Sequence, residues 1–190
     1  MENNIINQAI LVGTVDSVED NKLYVKIRRS KSDNYDIVPV WTKEVFEVGE
    51  RIKIEGIIAT KDIKINSSKY KHLVFIKANT IESTEEHDLN QILFNGFNTK
   101  EIIHRETPSG KLISDLFIAN NYDKSNAYYI PCIAFGDNAL YAEEIEIGDE
   151  KLFTGYFQSR EYIKRINDEE ISMTAYEVVL TKFDTNDKAE

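Results

Sequence analysis

Two stretches of this chain spell out the same order of residue types. Asn7-Gln8-Ala9-Ile10-Leu11-Val12-Gly13 opens the first half, and Asn90-Gln91-Ile92-Leu93-Phe94-Asn95-Gly96 opens the second. Further on, Ile37-Val38-Pro39-Val40 is answered by Tyr129-Ile130-Pro131-Cys132. Val48-Gly49-Glu50-Arg51-Ile52-Lys53-Ile54-Glu55-Gly56 is answered by Ile147-Gly148-Asp149-Glu150-Lys151-Leu152-Phe153-Thr154-Gly155. The offset between equivalent residues grows from 83 to 92 to 99. Ordered correspondences with a drifting offset are what two copies of one unit give when the second has longer loops. The chain therefore reads as a duplication, residues 1–87 and 88–190, joined near Glu82 to Asp88.

Each copy reads as strands with one short helix. Leu23, Val25 and Ile27 alternate with polar residues, as do Ile52 and Ile54 with Arg51, Lys53 and Glu55, the period-2 pattern of a half-buried strand. Between the third and fourth strands, Thr42 in the first copy and Asp137 in the second are placed to cap a short helix. Val48-Gly49 and Ile147-Gly148 then end it. The expected class is all-β, two small barrels with short helices; alternation alone does not choose among the small barrels.

Composition sets the compartment and the partner. No apolar run approaches the eighteen or so residues of a membrane span, and Met1-Glu2-Asn3-Asn4 lacks a basic start and apolar stretch; the expectation is a cytoplasmic protein that avoids membranes. One cysteine, Cys132, cannot form an internal disulfide, and its apolar setting reads as a core thiol. With 23 basic and 33 acidic residues the net charge is −10, the wrong sign for approaching phosphates. Most of the excess lies after Asp88, where 10 basic residues face 18 acidic ones. Screening over about 8 Å at physiological salt still leaves room for a local basic groove, so any such binding is expected to be weak or salt-sensitive.

The second copy carries the more specific pattern. Thr107-Pro108-Ser109-Gly110 forms a turn after Asn90-Gln91-Ile92-Leu93. Tyr129 runs into Phe135-Gly136, a helix-like Asn138 to Glu144 follows, and a strand with Gly155 ends in Gln158-Ser159-Arg160 before Tyr162. Over roughly residues 90 to 183 this resembles the bacterial single-stranded DNA-binding protein family. The resemblance implies tandem OB-folds, five-stranded barrels that bind single strands across one face and two loops. It also implies base stacking on aromatics and phosphate contacts, without sequence preference, in DNA replication, recombination or repair. Carried over by position, Tyr129, Phe135 and Tyr162 fall on stacking aromatics, Tyr122 lies near a fourth, and Arg160 matches a phosphate-contacting arginine. Arg105, Lys111, Lys124, Lys164 and Arg165 lie in or beside the loops that would rim the groove, with Asp168-Glu169-Glu170 offsetting the last two. Tyr128 and Tyr156 are left to the core or the outer face.

The first copy departs from that pattern. Lys43, Lys61 and Ile63 stand where the second has Phe135, Arg160 and Tyr162, so the family's platform is missing there, and Trp41 among apolar residues reads as core. Arg28, Arg29 and Lys31, with Lys61, Lys64, Lys69 and Lys71, make it a basic extension of the site or a structural partner. The chain stops at Asp184-Thr185-Asn186-Asp187-Lys188-Ala189-Glu190, without the acidic Pro-Phe tip that in many relatives recruits replication proteins. This points to an accessory protein, such as one serving a plasmid, phage or mobile element. Two units per chain would make four in a homodimer, and equally a working monomer. His72, His87 and His104 lack metal spacing, and no nucleotide or nucleophile motif is present, so neither an enzyme nor a cofactor is expected. The competing class is a pair of OB-folds that acts as a protein-interaction scaffold for replication proteins.

Overall fold

The computed structural model describes residues 5–66, 69–122, 126–166 and 169–184. The first copy runs β1 (Asn7–Glu19), β2 (Lys22–Arg28), β3 (Tyr35–Trp41), β4 (Arg51–Asn66) and β5 (Lys69–Ser83). The second runs β6 (Leu89–Asn98), β7 (Ile103–Glu106), β8 (Leu112–Asn120), β9 (Tyr128–Phe135), helix α1 (Asp137–Tyr141) with a 3-10 turn at Ala142–Glu144, β10 (Glu150–Ile166) and β11 (Glu169–Asp184).

The pairings close two rings of the same kind. β1 pairs with β2 and β4, β2 with β3, and β5 joins β4 to β3, the β3–β5 pair being parallel. β6 pairs with β8 and β10, β8 with β9, and β11 joins β10 to β9, again with one parallel pair. Each is the five-stranded OB barrel that alternation left open. Alternation then fills the interiors: Leu23, Val25 and Ile27 on β2, Ile52 and Ile54 on β4, and Ile130, Cys132 and Ala134 on β9 are all buried. Phe94, Phe153 and Phe157 fill the second barrel, with the Phe94 and Phe153 rings 5.3 Å apart. Burial pushes the Cys132 thiol well above its usual range, as suits a core residue.

Two details correct the sequence reading. In the first copy the segment after β3 forms no helix; the Thr42 hydroxyl instead accepts the Glu44 N–H at 3.0 Å, holding a local turn that competes with helix. In the second copy Asp137 is the first helical residue, and the cap position belongs to Gly136 at φ 58°.

The repeated Gly56 and Gly155 have a structural job. Each follows a register shift in its strand, and a Cβ there would lie 2.3 Å from the Lys77 carbonyl oxygen or 2.2 Å from that of Val179. Neither contact is a side-chain tip that can swing away. Gly155→Ala is expected to cost about 1 to 3 kcal/mol of stability, as forced backbone shifts in packed cores do, read as a lower urea midpoint at unchanged slope.

The copies join through their opening strands. β1 and β6 pair antiparallel with Ala9 opposite Ile92, which are equivalent residues, so a pseudo-two-fold axis passes through that pair. The repeated asparagines obey the same symmetry, each bonding to backbone within its own copy. Asn7 bridges the N–H and carbonyl of Ile58, both at 2.9 Å, and Asn90 does the same for Phe157 at 2.9 and 2.8 Å. A reciprocal pair joins the copies: Tyr129 N–H donates to the Thr60 hydroxyl at 3.0 Å, and Ile37 N–H to the Ser159 hydroxyl at 2.9 Å. Each copy thus seats its third strand on its partner's long ribbon.

Candidate functional site

The outer face of the second barrel gathers most of the residues singled out by sequence. With Ile130, Cys132 and Ala134 turned inward, β9 presents Tyr129, Pro131, Ile133 and Phe135 outward. Register sets Phe117 opposite Pro131, Asp115 opposite Ile133 and Ile113 opposite Phe135, with Val179 beside Ile133 and Tyr156 beside Val179. At one end Tyr129, 45% exposed, stacks on Phe117 with centroids 5.9 Å apart and planes 20° off parallel. At the other, Phe135 and Tyr156 pack around Ile113, Ile133 and Val179. A cation covers an aromatic at each end: Lys100 Nζ lies 4.1 Å from the Phe117 ring and Lys111 Nζ 4.6 Å from that of Phe135.

Between the two ends the charges are already partnered. Arg105 grips Asp115 with two bonds of 2.7 and 3.0 Å, and that hydrogen bonding raises its guanidinium above its ordinary value. Arg160 reaches Glu177 at 3.4 Å, a carboxylate it shares with Gln158 at 3.2 Å. By strand alternation Arg160 and Tyr162 continue the outward row begun at Tyr156, and the Arg160 guanidinium lies 5.8 Å from the Tyr162 ring. The Tyr162 hydroxyl donates to the Met173 sulfur at 3.8 Å. Farther along the ribbon Lys164 is exposed and Arg165 is bound to Glu170 at 2.7 Å. Tyr122 stands apart from the row, tilted against Tyr128 at 5.5 Å. Lys124 and Asp168 lie outside the described residues, as does the side chain of Lys69.

The first copy flanks this face at both ends. His72 places Nε2 2.8 Å from the Tyr129 carbonyl oxygen and Nδ1 2.6 Å from Asp62, with its ring 5.7 Å from Phe117. At the other end, the tip between β2 and β3 borders a cleft of about 620 Å³ that Lys31 shares with Lys111, Phe135 and Tyr156. Not all of that basic tip is available. Arg29 is clamped by the buried Asp36 and donates to the Ser159 carbonyl at 3.1 Å, and Arg28 pairs with Asp33. Arg29 thereby docks one barrel on the other, while the Arg28 pair stays within the tip.

Several residues here escaped the sequence reading. Phe117 sits between Leu116 and Ile118 and looks like core; its parity with Asp115, opposite to theirs, was the available signal. Tyr156 shares the face of Phe135, and burial raises its hydroxyl above the usual tyrosine value. Lys100, Thr60 and His72 reach the site through tertiary folding, and nothing in their local sequence marks them. Trp41 is outside the core: with Val38 and Val40 inward, it faces outward and stacks on Phe75 at 4.0 Å and 18°.

No protein-family model and no curated protein matches the chain. Among solved structures, it is similar to the wild-type single-stranded DNA binding protein from Thermus aquaticus, with TM-score 0.75 and 20% identity over 99% of this chain and 96% of that one. A deletion mutant of the same protein matches with TM-score 0.72 and 19% identity, over 95% and 94% of the two chains. The likeness is one of fold, and at that coverage it takes in both barrels.

Proposed function

We propose that this chain binds single-stranded DNA without sequence preference, as a two-unit protein divided at residues 1–87 and 88–190, and serves DNA replication, recombination or repair in the cytoplasm. The observation that carries the reading is the single outward row on the second barrel, where Phe117, Tyr129, Phe135, Tyr156 and Tyr162 alternate with Lys100, Lys111, Arg105 and Arg160. Aromatic faces take bases of any identity, and flanking cations follow the backbone. Tyr129 and Phe135 are assigned as the main stacking groups. Lys111 and Lys100 take phosphates, and Arg105 and Arg160 do so by exchanging Asp115 and Glu177 for phosphate oxygens. Tyr122, Lys164 and Arg165 extend the path at its margins. The full-length likeness to a protein named for single-stranded DNA binding supports the same reading.

The test is fluorescence anisotropy of a labelled oligo-dT of about 30 nucleotides, titrated at low and physiological salt against a duplex control. With about four phosphates neutralised, the log–log salt slope is expected to be about −3, so affinity falls roughly fiftyfold between about 50 and 200 mM salt. An absence of single-strand binding at low salt would overturn the reading. A second reading has its own support: Arg105, Arg160 and Arg165 are all held by carboxylates, and the net charge is −10. In it the pair of barrels is a scaffold for replication proteins, and oligo-dT leaves the anisotropy unchanged while such a protein is captured from solution.

A further inference from the structure

We propose that the first copy carries its own base-stacking subsite, the Trp41–Phe75 pair, completed by a wall from the second copy. The inference rests on the single-strand reading above and extends it to a surface that the family pattern leaves empty. Trp41 ends β3 facing outward, and its ring lies 4.0 Å from that of Phe75 at 18°, with Phe75 only 5% exposed beneath it. A platform backed in this way is already ordered, so a base landing on it meets little entropic penalty. Lys61 Nζ stands 5.5 Å from the indole centroid, as a cation beside a π face does before its charge turns to a phosphate.

The platform opens into a groove of about 700 Å³. Its floor includes Tyr24, Pro39, Trp41 and Phe75, and its far wall is Ile171 to Thr174 on β11 of the second copy. Lys22 and Lys71 line it, Lys22 being held by Glu19 at 2.6 Å. In a chain of net charge −10, lysines gathered on an aromatic groove select an anionic occupant with flat faces. A single strand has that chemistry.

The pseudo-two-fold axis supplies an independent argument. Tyr24 pairs with Pro39 in the first copy as Phe117 pairs with Pro131 in the second. The groove therefore occupies on the first barrel the place of the aromatic row on the second, and each is flanked by the other copy's ribbon. Trp41 is equivalent to Ile133, which in the second copy is covered by its neighbours. The stacking group has moved along the strand relative to Ile37 and Lys43, the positions that comparison with the second copy would search.

Trp41 is the only tryptophan, so its emission reports this subsite directly. Oligo-dT of about 12 and about 40 nucleotides, bracketing the reach of one OB-fold and two, would be titrated against the whole chain. Anisotropy and Trp41 emission are recorded separately. The long strand is expected to quench Trp41. Trp41→Leu is expected to weaken its binding about tenfold, Trp41→Phe much less, and Lys61→Ala, at an exposed position, a few-fold. Saturable anisotropy with unchanged Trp41 emission and wild-type affinity in Trp41→Leu and Lys61→Ala would overturn the inference and leave the second-barrel site standing. If neither strand binds at low salt, both readings fall together.

Discussion

Replacing both Tyr129 and Phe135 by alanine is expected to lower the affinity for an oligo-dT of about 30 nucleotides by on the order of 100-fold. The two rings sit six residues apart on one strand and project from the same face, a separation of roughly 20 Å at about 3.3 Å per residue. They therefore serve different bases, and each stack is worth about 1 to 3 kcal/mol. About 1.4 kcal/mol apiece gives tenfold each, and well-separated sites add. Tyr129 is 45% exposed, so its removal should leave the fold intact. Phe135 packs on Ile113, Val179 and Tyr156 and calls for a thermal melt of the variant as control. Tyr129→Phe keeps the π face and should bind like the parent. Wild-type affinity in the double variant, with an unchanged melt, would remove the outward row from the mechanism.

Phe153→Ala is expected to be the most damaging single substitution for stability, at about 3 to 5 kcal/mol. Phe153 is fully buried, lies 5.3 Å from Phe94 and meets Phe183 edge-on at 5.7 Å. A chain of this size loses about 2 to 4 °C of melting temperature per kcal/mol, so a drop of roughly 6 to 20 °C should follow. The variant also tests the joint between copies. Because β1 and β6 share one ladder and Asn7, Tyr129 and Ile37 bond across the seam, both barrels should unfold in one transition. Trp41 emission, which reports the first copy, should then shift with the far-ultraviolet signal although the substitution is in the second. Two separated transitions would show that the seam does not couple them.

Much of this architecture was legible because the duplicated residues carry backbone duties that few others can perform. Asn7 and Asn90 each complete a strand pairing with a side-chain amide, and Gly56 and Gly155 each admit a carbonyl where a Cβ would collide. Such constraints act on single positions, so they survive as a readable pattern while the rest of the two copies diverges. Alternation likewise identified the inward residues, since each strand needs only one apolar face. The outward aromatics of β9, Tyr129 and Phe135, came from the family resemblance, and the parity of the strand agrees with it.

What escaped was whatever depends on a neighbour distant in sequence. Thr42 is the exception, where a local hydroxyl bond to the Glu44 N–H holds a turn in place of a helix cap. Trp41 looks like core because its neighbours are apolar, and only barrel closure shows which face of the strand is covered. The sequence by itself determined that there are two copies, that Leu23, Val25, Ile27, Ile52, Ile54 and Cys132 face inward, and which strand bears Tyr129 and Phe135, because periodicity and steric necessity act within a few residues. Tertiary structure alone decided that His72 meets Tyr129, that Arg29 reaches Ser159, and that β11 walls the groove over Trp41. Those contacts join residues more than fifty positions apart, and their geometry is set by how two closed barrels dock.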